Sequence, residues 1–194
     1  VYPQTQKAIL GYGSGRTNLT NLINSSGVVG ADVTGVGTAR NALTAAGYGG
    51  DKAIFGFGNT GSFTAITNLV NNSGVVAANV SGVGTARMEL AAATYGNDKA
   101  IFGFGTNSSE GTPVSLTNLV NNSGVVAADV TGVGTDKRLL AATGYGTDKA
   151  IFGYGYDTGN ASITNLVSNS GVVATDTSGV GTARYGLAAA RYGG

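Results

Sequence analysis

The chain has 194 residues, 34 of them glycine, and its 11 Lys and Arg against 10 Asp and Glu leave a net charge of +1. That balance gives no steering field for nucleic acid or an anionic bilayer, and no run of about 18 apolar residues is present to span one. Cysteine and histidine are both absent, which removes disulfides, thiolate chemistry, the commonest general base and the commonest transition-metal ligand.

The sequence repeats one phrase four times. Lys-Ala-Ile, an apolar residue and Gly-aromatic-Gly begin at Lys7, Lys52, Lys99 and Lys149. Thr-Asn-Leu follows at Thr20, Thr67, Thr117 and Thr164, and Gly-Val-Val at Gly27, Gly74, Gly124 and Gly171. Gly-Val-Gly-Thr closes each phrase at Gly35, Gly82, Gly132 and Gly179. A fixed period of this length marks a supersecondary unit that buries its apolar face only against its neighbours.

In chain order, the second unit begins with a short strand ending at Tyr48, then Gly49, Gly50 and Asp51 as turn residues. Lys52 to Phe57 reads as a second strand, with Phe55 and Phe57 on one face and Ile54 on the other. Thr64 to Val70 reads as a third, Asn71 to Gly74 as a four-residue hairpin loop, and Val75 to Asn79 as a fourth strand. The helix formers of 85–94 are discounted, because equivalent stretches carry Gly47, Gly144 and Gly186.

Four short strands in 40 to 50 residues is the spacing of a β-propeller blade, a parallel β-solenoid being the competing reading. The units are 7–42, 43–89, 90–139 and 140–186 of a single domain over 1–194, with 187–194 supplying the missing first strand of the first blade. A start at the second strand and an end at a first strand predict a four-bladed ring closed by its N- and C-terminal strands. The start at Val1 instead of Met leads to the expectation that preceding residues were removed.

Thr182-Ala-Arg-Tyr-Gly-Leu-Ala-Ala-Ala-Arg-Tyr-Gly and Asp148-Lys-Ala-Ile-Phe-Gly-Tyr-Gly resemble the kelch repeat, with Gly-aromatic-Gly in place of its double glycine and without its late Trp. The resemblance covers all four units and implies a kelch-like propeller. Gly-rich arrays of this kind are also similar to repeats in structural proteins of marine bacteriophages and uncultured viruses. That similarity implies a virion-associated or extracellular component.

Arg40, Arg87 and Arg184 recur ahead of the first strand, and the third unit has Lys137 and Arg138 there. They read either as an anion-binding ring or as clamps on backbone carbonyls between blades. Asp51, Asp98 and Asp148 read as hairpin caps, and Asp32, Asn79, Asp129 and Asp176 as Asx turns. Tyr12, Phe57, Phe104 and Tyr154 read as blade-to-blade packing or as sugar-stacking platforms. The loop between the second and third strands absorbs nearly all the length variation, which gives lysine spacings of 45, 47 and 50. Such loops lie on one rim of a propeller, and Asn107, Glu110, Tyr156 and Asp157 are the candidate ligand residues.

These observations predict a non-enzymatic structural or adhesive module needing no metal or cofactor. Its partners would be other copies or a larger assembly, without nucleic acid or membrane insertion. The alternative is a lectin-like module binding glycans at the variable rim.

Overall fold

A computed structural model describes residues 7–192. Twelve strands and no helix are found among them, so no helix crosses a membrane. The strands are β1 (Ala8–Gly11), β2 (Leu19–Ile23), β3 (Val33–Thr34), β4 (Thr44–Tyr48), β5 (Lys52–Gly56), β6 (Thr67–Val70), β7 (Ala91–Tyr95), β8 (Lys99–Gly103), β9 (Thr117–Val120), β10 (Ala141–Tyr145), β11 (Lys149–Tyr156) and β12 (Asn160–Val167). They form four antiparallel sheets of three strands, ordered β1-β2-β3, β4-β5-β6, β7-β8-β9 and β10-β11-β12. The repeated phrase therefore folds as a repeated sheet, and the stretch at 85–94 ends in strand β7.

The fourth strand of each unit is thinner than expected. In the second unit it is reduced to bridges, Val70 with Val76 and Thr67 with Val80. Between the two bridges the Asn68 side-chain amide donates to the carbonyl of Ala77 at 3.0 Å and to Asn79 Oδ1 at 3.0 Å. Asn118 and Asn165 do the same in the later units. The Asn71–Gly74 loop forms as expected, with the Asn71 side chain accepting from the backbone N–H groups of Ser73 and Val75.

Each apolar core lies between units. One cluster joins Tyr12 to Phe55, Val70 and Val76. A second joins Tyr48, Ile54 and Phe57 to Leu90, Phe102, Val120 and Val126. A third joins Tyr95, Ile101 and Phe104 to Leu140, Phe152 and Val167. Phe55 and Phe57 were expected on one face of β5, yet Phe55 packs toward the first unit and Phe57 toward the third. Phe57 sits just past the strand end at φ 63°, a left-handed conformation that breaks the two-residue alternation and re-aims the ring. Tyr12, Phe104 and Tyr154 repeat this conformation at φ 64°, 65° and 62°. A non-glycine residue there costs about 1–2 kcal/mol, and the surrounding packing holds it.

The closing strand expected at 187–194 has no ladder among the described residues. Leu187 to Tyr192 carries no strand, and β1 pairs only with β2. Tyr192 is 96 % exposed, whereas its counterparts Tyr48 and Tyr95 are 3 % exposed. The approach to this segment is tied to the third and fourth units: the N–H of Arg184 donates to Ala161 O at 3.3 Å and that of Gly186 to Leu139 O at 2.8 Å. The three clusters link units one to two, two to three and three to four, and none joins four to one among the described residues. Gly193 and Gly194 lie outside the described residues.

Candidate functional site

Arg40, Arg87 and Lys137 are consumed by the unit interfaces. Arg87 is fully buried; its Nε donates to Phe104 O at 2.9 Å, Nη1 to Thr85 O at 3.1 Å and Nη2 to Asn118 Oδ1 at 2.6 Å. Its guanidinium lies 4.2 Å above the Phe57 ring centroid, with Asp129 3.7 Å away. One arginine thus ties the aromatic of its own unit to the backbone and side chains of the next. Burial pulls its pKa down to about 10, against the opposing pull of Asp129.

Arg40 repeats the arrangement over Tyr12, donating to Phe57 O at 2.9 Å and Thr38 O at 3.1 Å. Lys137, not Arg138, fills the position in the third unit: its ammonium donates to Asn165 Oδ1 and lies 4.6 Å from the Phe104 centroid. Burial lowers the Lys137 pKa to about 8, with Asp176 and Asp157 opposing. The carbonyl-clamp reading of the repeated arginines therefore describes Arg40 and Arg87. Arg184 is exposed, lies over Tyr154 at 4.4 Å and donates only within its own unit, to Thr182 O.

Asn79, Asp129 and Asp176 were expected to make local Asx turns, and instead they reach across units. Asp129 accepts from the backbone N–H of Thr85 at 2.9 Å and from its hydroxyl at 2.6 Å; Asp176 accepts from the Thr135 hydroxyl at 2.6 Å. Asn79 accepts from the Thr38 N–H at 3.0 Å. Burial pushes the Asp129 carboxyl up, but the bonds from Thr85 and Asn118 outweigh it and hold the pKa below the usual value. Partners 41 or 44 residues apart leave no local signal, which is why a turn reading was the natural one. Asp51, Asp98 and Asp148 were expected to cap the turns they sit in; each side chain instead accepts from an Asn of the loop after the third strand, Asn72, Asn122 and Asn169.

The variable-loop residues are only partly brought together. Asn107 and Glu110 are exposed in the loop after Thr106. Asp157 caps the β11–β12 turn, accepting from the Gly159 N–H at 2.9 Å. Tyr156 ends β11, with the Tyr185 ring 5.5 Å away edge-to-face. What joins the two loops is Arg138, which sequence reasoning passed over as a displaced repeat residue. It pairs with Glu89 at 2.6 Å, lies 5.3 Å over Tyr156, and comes within 3.2 Å of where a Cβ on Gly111 would be. Its Nε is buried without a partner. The signal was present: Glu89 and Arg138 carry charge at unit positions that are uncharged in the other units, Ala42, Leu139 and Gly186 for the first and Asn41, Met88 and Tyr185 for the second.

A cleft of about 430 Å³ runs along the first strands, walled by Ala93, Thr94, Thr143, Gly144, Asp148 and Arg191. Its single carboxylate has no second acid or nucleophile–base pair beside it. No group of three or more metal-ligand side chains occurs among the described residues.

No protein-family model matches the chain, and no curated protein matches it. The class defined by the fold is thus an all-β chain of four repeated antiparallel sheets stacked through arginine, aromatic and Asp–Thr contacts.

Proposed function

We propose that the chain is a non-enzymatic structural or adhesive module used in many copies in a virion, fibre or other extracellular assembly, its four sheets acting as kelch-like, propeller-type blades. The observation that carries the reading is the use of its repeated functional side chains. Arg40, Arg87, Lys137, Asp129 and Asp176 all bridge adjacent units, as do the rings of Phe57 and Phe104. Side chains committed to unit stacking specify a scaffold, and the low charge of the surface weakens repulsion between copies. The test is the mass of the native particle and the purified chain's behaviour on a glycan array. Recovery in large assemblies with a silent array supports the reading; glycan capture by the monomer overturns it.

A lectin-like reading is favoured by one observation, the Arg138–Tyr156 pair with its unpartnered Nε. An aromatic face beside a guanidinium is suited to a sugar ring and its hydroxyls. Loss of array signal on changing Tyr156 and Asp157 to Ala supports this second reading, and an unchanged signal removes it.

A further inference from the structure

The two ends of the stack carry opposite halves of the interface that the chain forms three times internally. In each internal interface an apolar side chain fills the space above a glycine of the preceding unit: Phe55 at Gly11, Phe102 at Gly56 and Phe152 at Gly103. The next glycine, Gly153, has only its own unit's Thr164 nearby, and the matching knob, Leu10, is 55 % exposed against 4 % for Phe55. A leucine stands over Gly74, Gly124 and Gly171, contributed by the preceding unit as Leu22, Leu69 and Leu119; at Gly27 nothing lies within 4 Å. Val29 of the first unit is 53 % exposed, where Val76 and Val126 are 7 % and 9 %.

The polar half of the interface is split in the same way. Thr38, Thr85 and Thr135 each bond the Asn or Asp of the following unit, whereas Asp32 bonds only Asn21 of its own unit. Thr182 and Arg184 present the complementary donors at the far end, with Arg184 exposed. The strand inventory agrees. Leu187-Ala-Ala-Ala-Arg-Tyr192 matches Leu90-Ala-Ala-Ala-Thr-Tyr95, the segment that forms β7, yet it pairs with nothing among the described residues. β1 is the one second strand without a first strand beside it among those residues.

We infer that copies of this chain join head to tail by strand donation: residues 187–192 of one copy pair with the free edge of β1 in the next, completing a composite unit at each junction. The inference rests on the structural reading above. The register follows the Ala92 with Phe102 and Tyr95 with Lys99 pairing of β7 and β8, which sets Ala189 opposite Leu10 and Tyr192 opposite Lys7. Thr182 then donates to Asp32, Arg184 reaches Asn21, and Leu10 enters the space above Gly153. The occupant is a second copy because, among the described residues, no apolar cluster or strand pairing joins the fourth unit of a chain to its own first unit.

The absence of cysteine makes a direct test available. Leu10→Cys and Ala189→Cys alter exposed positions, and directly opposed β residues lie within disulfide reach, at Cα separations of about 4.5–5.5 Å. Mixed under mild oxidation, the two single variants are expected to form a disulfide species of twice the 19.1 kDa chain mass. Asp32→Ala in the Leu10→Cys partner should lower the yield at limiting concentration by roughly tenfold. A chain carrying both cysteines that closes on itself as a monomer overturns the inference. So does cross-linking of Leu10→Cys to itself as efficient as to Ala189→Cys. Either result leaves the structural reading standing, because that reading falls only to glycan capture by the monomer.

Discussion

The second-to-third unit interface and the exposed face of the first unit are built from the same sequence words and have opposite environments. At the former, Phe102 fills the space above Gly56, Arg87 is buried across the junction, and Asp129 takes the Thr85 hydroxyl. At the latter, Leu10 and Val29 face solvent and Asp32 has a bond only within its unit. The contrast teaches that stability in this chain belongs to pairs of units. A unit supplies one half of two interfaces, and a half without its complement is an exposed apolar surface.

The largest expected effect that would break the comparison is at the ring in the interface. Phe102→Ala should cost about 3–5 kcal/mol in denaturant unfolding, while Leu10→Ala in dilute monomer should stay within about 0.5 kcal/mol. Equal losses would mean that the first unit's face is covered in solution. Arg87→Met comes next, at about 2–4 kcal/mol, because it leaves Phe104 O and Asn118 Oδ1 without their donor. Arg184→Met, at the exposed end, should be close to neutral.

Lys137 sharpens the comparison through pH. Its folded pKa of about 8 lies below the ordinary 10.5, so between those values the unfolded chain holds more protons than the folded one. Stability contributed by this site should therefore rise with pH from about 8 to 10.5 and be flat below 8. Chemical denaturation of wild type and Lys137→Met across that window isolates this contribution, and parallel curves would count against a buried ammonium. Asp129 acts with the same sign in an acid window: its carboxyl is held below the ordinary value, so its contribution is present above about pH 4 and lost as pH falls through the folded pKa. Asp129→Asn should remove that acid-side loss, as read by chemical denaturation across the acid range.

The smallest effect is at a strained backbone position. Ala42 is exposed at φ 51°, where the fourth unit has Gly186 at φ 65°. Ala42→Gly should stabilise by less than about 1 kcal/mol, relief of left-handed strain being offset by added freedom of the unfolded chain. A clear drop in melting temperature would show that Ala42 contributes more than its conformation.

Much of this fold was legible because the repeat was loud. The second and third strands, the Asn71–Gly74 loop and the carbonyl-clamp reading of Arg40 and Arg87 all follow from period and residue type. Three features were not legible. The fourth strand of the second unit is reduced to two bridges with the Asn68 side chain bonded between them, a detail invisible to alternation counting. The Asp–Thr bonds join residues more than 40 apart. Arg138 became a link between the variable loops only once Glu89 and Tyr156 were placed around it.

The sequence by itself determined the units, their antiparallel strands and the residues that each contributes, since local period, turn chemistry and glycine placement act within about ten residues. Only the tertiary structure decided where those contributions go. Left-handed Phe57 turns its ring toward the next unit, and the core consequently forms between units. Whether Leu187 to Tyr192 meets β1 depends on the summed geometry of three such interfaces, a long-range quantity that no stretch of the repeat encodes on its own.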